Sequence, residues 1–182
     1  MRNSRSDSLK QTAISGLIIA LAVALGFALA FIPNIELVTL TLALGGALLG
    51  PSRGAITGAI GFGTYSLLSP YGIAPPPLFA AQIIGGAIIG LGGAFIARLD
   101  ARIVRRWLFN LSAGLVGACV TFIYDLLTNI GSFIAVASSE TLMPFLIGGI
   151  AFSAVHVLAN GLIFGILFPL IAGRFRASFS PR

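Results

Sequence analysis

Residues Leu111 to Asn129 read LSAGLVGACVTFIYDLLTN, an apolar run of membrane-spanning character that carries one acid, Asp125. An ionised carboxylate in hydrocarbon costs at least ~2.5 kcal/mol on insertion scales, so such a residue faces the protein interior or a water-filled cavity. At helical spacing Thr121, Asp125, Thr128 and Asn129 share one face, and Val116, Val120, Ile123 and Leu127 share another. The pattern predicts a helix with its valine-rich side toward lipid and its polar side toward a ligand. The rest of the chain is then a container for that polar side.

Composition agrees. The chain has 182 residues, 57% hydrophobic and 9% charged, with a mean hydropathy of +1.03. Soluble domains carry about 25% charged residues. This is the composition of an integral membrane protein, and the length suits one membrane domain, residues 1–182, with no soluble catalytic domain attached. The single cysteine, Cys119, allows no intrachain disulfide and leaves the redox compartment unread.

Apolar runs and their breakers divide the chain into six predicted spans, at about 12–32, 37–50, 54–69, 78–97, 107–130 and 142–172. Pro33-Asn34 ends the first and Pro51-Ser52-Arg53 ends the second. Pro70 to Pro77, PYGIAPPP, is expected to be non-helical, since proline lacks an N–H and restricts the residue before it. Gly131 to Thr141 reads as a small polar loop holding Glu140. The second and third spans are shorter than the ~20 residues a crossing needs, and longer neighbours can accommodate them.

The basic residues test this division. Arg2, Arg5 and Lys10 precede the first span, and Arg53 lies between the second and third. Arg98, Arg102, Arg105 and Arg106 lie between the fourth and fifth, and Arg174, Arg176 and Arg182 follow the sixth. All eleven therefore fall on one side, while the opposite loops hold Glu36 and Glu140. The positive-inside rule then places both termini in the cytoplasm. It also accounts for the net charge of +6 without a nucleic-acid partner. The basic start, apolar run and Ala28-Leu29-Ala30 resemble a cleavable signal peptide, but the run is longer than an ordinary signal core.

Several small constellations carry chemistry. Gly16, Ala20, Ala24 and Ala28 recur every four residues and form a small-residue stripe on the first helix, for close approach of another helix or for internal packing. His156 and Asn160 share a face of the sixth helix, as a ligand contact or as an interhelical hydrogen bond. Asp125 with Asn129, flanked by Thr121 and Tyr124, marks a cavity near the outer end of the fifth helix. Gln82, Tyr71 and Glu36 are able to approach it from the fourth helix and two outer loops, although Tyr71 also suits an interfacial anchor and Glu36 a solvated loop. The sequence shows no phosphate-binding glycine loop, no metal-ligand cluster and no nucleophile–base pair at a recognisable spacing.

Together these features resemble the substrate-binding S component of energy-coupling factor (ECF) vitamin transporters. Ala20, Ala24 and Ala28 look like that family's alanine motif, which implies contact with a coupling subunit. Residues 33–39, PNIELVT, look like its first outer loop, and Gly50-Pro51 with Gly54 like its cytoplasmic turn. Residues 124–129, YDLLTN, resemble the end of its fifth helix, and His156 with Asn160 its sixth. The loop PYGIAPPP is loosely similar to one in members assigned to cobalamin or pyridoxine-type vitamins.

The resemblance implies an all-α integral membrane protein, a six-transmembrane-helix bundle in a bacterial or archaeal plasma membrane. It implies substrate binding by Glu36, Tyr71, Gln82, Thr121, Asp125, Asn129, His156 and Asn160. It further implies a vitamin-like ligand, no metal or cofactor, and no catalysis by the chain itself. Transport would be by toppling in the bilayer on a coupling subunit driven by two ATPases. Two other readings compete. One is a small membrane enzyme with Asp125 and His156 as acid and base, against which their expected difference in depth counts. The other is a scaffold whose polar groups serve packing.

Overall fold

The computed structural model describes residues 4–32, 34–100, 102–103, 105–136 and 142–179. Its helices are α1 (Ser4–Ala28), α2 (Val38–Leu49), α3 (Pro51–Leu67), α4 (Pro76–Asp100), α5 (Arg106–Val136) and α6 (Leu142–Phe179). Among the described residues there is no strand. The protein is all-helical, and the stretches Ser6–Ala28, Pro76–Asp100, Arg106–Val136 and Ile147–Arg174 are long and apolar enough to cross a membrane. With 12 and 17 residues, α2 and α3 are about 18 and 26 Å long, less than the ~30 Å hydrocarbon core.

Helix boundaries depart from the sequence expectation: α3 starts at Pro51, within the Pro51-Ser52-Arg53 stretch expected to separate the second and third spans, α6 runs on to Phe179, and α1, α4 and α5 differ as well. Helix α1 takes in the polar start of the chain and stops at Ala28, and its last expected turn is replaced by turns closed by Ile32 N–H to Leu29 O. Helix α4 begins at Pro76, inside the stretch expected to be non-helical. Proline is tolerated in a first turn, where its missing N–H has no intrahelical partner in any case. Helix α5 runs through Gly131 to Val136. There Gly131 packs against α4, where an added Cβ would stand 2.8 Å from the Pro77 carbonyl oxygen, so tertiary contact outweighs the poor helix propensity of glycine. Glu140 lies outside the described residues.

Two contacts fix the direction of the early helices. Arg53 at the start of α3 donates to Ser8 Oγ at the start of α1, at 3.3 Å. At the other end the Tyr71 hydroxyl donates to the Ala30 carbonyl, joining the α1–α2 and α3–α4 loops. The α2–α3 turn is made by Gly50 at φ +80°, a left-handed conformation that suits glycine, followed by Pro51 in the first turn of α3.

The core runs through all six helices, from Ile18 and Ala22 through Leu42, Phe62 and Ile89 to Phe109, Phe164 and Phe168. Helices α2, α3 and α4 meet along glycine. A Cβ at Gly46 would overlap the Gly90 carbonyl, one at Gly58 the Gly86 carbonyl, and one at Gly93 the Ala43 carbonyl. Backbones thus touch without intervening side chains, as small residues permit.

Two faces needed the structure to be assigned. The valine-rich side of α5 does not face outward: Val120 is buried, within reach of Gly92 of α4. The exposed ridge is Leu111, Leu115, Phe122, Leu126 and Ile130, because α5 is packed between α4 and α6 and only the strip between those contacts is free. On α1 the packed side is Ile14, Ile18 and Ala22, and the stripe Gly16, Ala20, Ala24 and Ala28 is exposed.

Candidate functional site

The site begins at the α1–α2 loop. Leu37 precedes α2 and offers its first turn no side-chain acceptor. Glu36 fills that role, its Oε2 accepting the Thr39 backbone N–H at 2.8 Å. A carboxylate at a helix start is favoured by the positive end of the helix dipole. Its other oxygen, Oε1, accepts from Asn160 Nδ2 at 3.2 Å and stands 3.6 Å from His156 Nε2. Burial alone would raise the Glu36 carboxyl, but the nearby His156 imidazole and the hydrogen bond from Thr39 outweigh that and hold it below the ordinary carboxylate value.

His156 has an acid at each ring nitrogen. Its Nδ1 lies 2.7 Å from Asp125 Oδ1, and Glu36 is on the Nε2 side. A protonated imidazole donates toward both acids, and a neutral one toward only one of them. Asp125 is 4% exposed and His156 7%. The expected difference in depth between them is therefore absent. Helix α5 continues for eleven residues beyond Asp125, so this residue sits well inside the helix rather than near its end, level with His156 on α6.

Glu36, Asp125 and His156 line a cavity of about 420 Å³ at the end of the molecule that carries the α1–α2 and α3–α4 loops. Tyr71 and Gln82 line it as well, as do Asn34, Phe62, Tyr65 and Tyr124. The rings of Phe62 and Tyr124 are 4.6 Å apart, and Tyr65 meets Phe62 edge-on at 6.4 Å. Among the described lining residues there is no lysine or arginine.

The other expected site residues lie around this cavity. Asn160 is fully buried one turn below His156 and reaches the site only through Glu36. Thr121 is fully buried one turn below Asp125. Asn129 turns toward α6, donating to Ser153 Oγ at 3.3 Å. It lines a second, apolar groove of about 540 Å³ between α5 and α6, together with Phe122, Leu126, Ile150 and Leu158. Asp125 borders both spaces.

Five buried oxygens in and beside the cavity have no hydrogen-bond partner: Asp125 Oδ2, Asn160 Oδ1, Gln82 Oε1, Asn34 Oδ1 and Thr121 Oγ1. Sequence reasoning passed over Phe62, Tyr65 and Asn34. The first two sit in the glycine-rich GFGTYS segment, where aromatic residues three apart were a readable sign of one shared face. Asn34 adopts φ +62°, a conformation asparagine tolerates better than most residues, and the Pro-Asn pair was its signal. The chain matches no protein-family model and no curated protein.

Proposed function

We propose that this protein is a membrane-embedded binding subunit that takes a small molecule into the cavity bounded by the α1–α2 loop, α3, α4, α5 and α6. The observation that carries the reading is that cavity: about 420 Å³, walled by aromatic rings, with a few polar groups held in place by one another. Small-molecule sites have this character, apolar in the main with a few fixed polar groups. The placement of all eleven basic residues supports six membrane-spanning helices with both termini in the cytoplasm and the cavity facing outward. The resemblance to S components of ECF transporters extends the proposal. The ligand is a vitamin or related micronutrient, the location a bacterial or archaeal plasma membrane, and the energy comes from a coupling subunit and two partner ATPases. The outward exposure of Ala20, Ala24 and Ala28 supports a partner helix on that stripe.

The experiment is mass spectrometry of small molecules retained by the protein purified from its native membrane. One compound recovered in near-equimolar amount, and absent after denaturation and refolding, supports a binding subunit. Consistent recovery of none from a folded, monodisperse sample sinks it.

A second reading, a small membrane enzyme, is favoured by the 2.7 Å contact of His156 with Asp125 at a cavity wall, an arrangement suited to proton transfer. It predicts that a retained compound is converted on incubation rather than returned unchanged.

A further inference from the structure

We propose that the cavity selects an organic cation carrying an aromatic ring, an inference that rests on the binding reading above and names its ligand class. Three features converge. First, the polar wall is rich in acid: Glu36 and Asp125 stand against one imidazole, no lysine or arginine lines the space among the described residues, and with both acids ionised the charge is net negative in either state of His156.

Second, that charge is incompletely satisfied inside the protein. Both Glu36 oxygens are engaged, by Thr39 on one side and by Asn160 on the other. Asp125 has only Oδ1 occupied, by His156, while its Oδ2 is buried without a partner in a residue that is 4% exposed and borders the cavity. Desolvating a carboxylate is costly, and a cation or a positively polarised N–H brought to Oδ2 offsets that cost.

Third, the same cavity is lined by aromatic rings. Phe62, Tyr65 and Tyr124 come from α3 and α5 and pack ring against ring, presenting π surface to the same space as the acids. A cation held over such rings is attracted by their quadrupole, the more so when desolvated, and a flat ligand stacks on them. An anionic ligand meets the reverse: two acids already set against the one imidazole, and no lysine or arginine among the described lining residues.

The test uses the full-length protein in lipid nanodiscs and three probes of similar shape: phenyltrimethylammonium, neutral 2-phenyl-2-propanol and anionic benzoate. Binding is read by calorimetry and by the shift in melting temperature. Phenyltrimethylammonium is expected to bind at least tenfold more tightly than either of the others. That preference should fall severalfold in Asp125→Asn and in Glu36→Gln, which keep side-chain shape. In Tyr65→Leu the affinity for the cation should fall while benzoate stays excluded. The wild-type comparison stands even if a variant fails to fold. Equal binding of cation and neutral probe, or preference for benzoate, overturns the cation assignment while leaving a binding cavity in place. Failure of all three to bind overturns it as well, and the retained-ligand experiment then decides separately whether the cavity binds anything.

Discussion

Gly46 of α2 and Gly90 of α4 meet backbone to backbone, so closely that a Cβ on Gly46 would overlap the Gly90 carbonyl oxygen. Gly46→Ala therefore forces the two helices apart. Overpacking of this kind costs about 1–3 kcal/mol. Gly16 is the control: nothing lies within 4 Å of its added Cβ, and alanine is the better helix former by roughly 0.5–1 kcal/mol. Melting in detergent should fall for Gly46→Ala and hold or rise for Gly16→Ala. Equal melting temperatures would contradict the close α2–α4 approach.

A carboxylate that merely lined a wet cavity would be replaceable without harm to the fold. The burial of Asp125 and its bond to His156 make it a different case. Removing one partner of a buried charged pair costs about 3–5 kcal/mol. Asp125→Ala should therefore lower stability by that order, whereas Asp125→Asn, which still accepts a hydrogen bond at Oδ1, should lose clearly less. Denaturant titration in mild detergent compares the two, and an unchanged midpoint in Asp125→Ala would remove the pair from the stability account.

Glu36 should leave a mark on acid stability. Its carboxyl is held below the ordinary value of 4.5 in the folded protein. The stabilisation is fully present above that value and is lost as pH falls through the lower folded-state value. Glu36→Gln, which cannot ionise, should flatten the acid limb of the stability curve. A curve parallel to wild type between pH 5 and pH 2, roughly the window of such a carboxylate, would refute the assignment.

The stripe on α1 yields a clean substitution, because Ala24 is exposed and Gly16, Ala20 and Ala28 flank it on the same face. Ala24→Trp should leave melting near wild type and, if the proposed coupling subunit docks on this stripe, abolish co-purification with it. Loss of the folded protein would instead show that this surface is needed internally.

Topology is open to labelling. Cys119 is exposed and must first be replaced. In that background Ile73→Cys, in the α3–α4 loop, should react with an impermeant thiol reagent added outside intact cells, and Ser52→Cys, at the start of α3, should not. Reaction at Ser52→Cys from outside would end the proposed orientation.

Periodicity and breakers made most helices readable, because an apolar helix bounded by proline and charge is a local feature. What was not local was not readable. Glu36 and Asn160 are 124 residues apart, and nothing in the spacing of either tells that they touch. The outward side of α5 was misassigned for the same reason: several faces of that helix are apolar, and only the position of α4 decides that Val120 is covered and Phe122 is not. The end of α5 was misplaced because a glycine that breaks a solvent-exposed helix is the residue that fits where α4 presses closest.

Glu36 is a clasp as well as a wall of the cavity. One carboxylate holds the first turn of α2 through Thr39 and the middle of α6 through Asn160, elements that the sequence separates by most of its length. Any event that draws it away releases both at once. Coupling free energies are reciprocal and commonly amount to about 1–3 kcal/mol. A ligand that recruits Glu36 thereby loosens α6 from the α1–α2 loop, and a partner that clamps that loop from outside changes the ligand's affinity by the same factor.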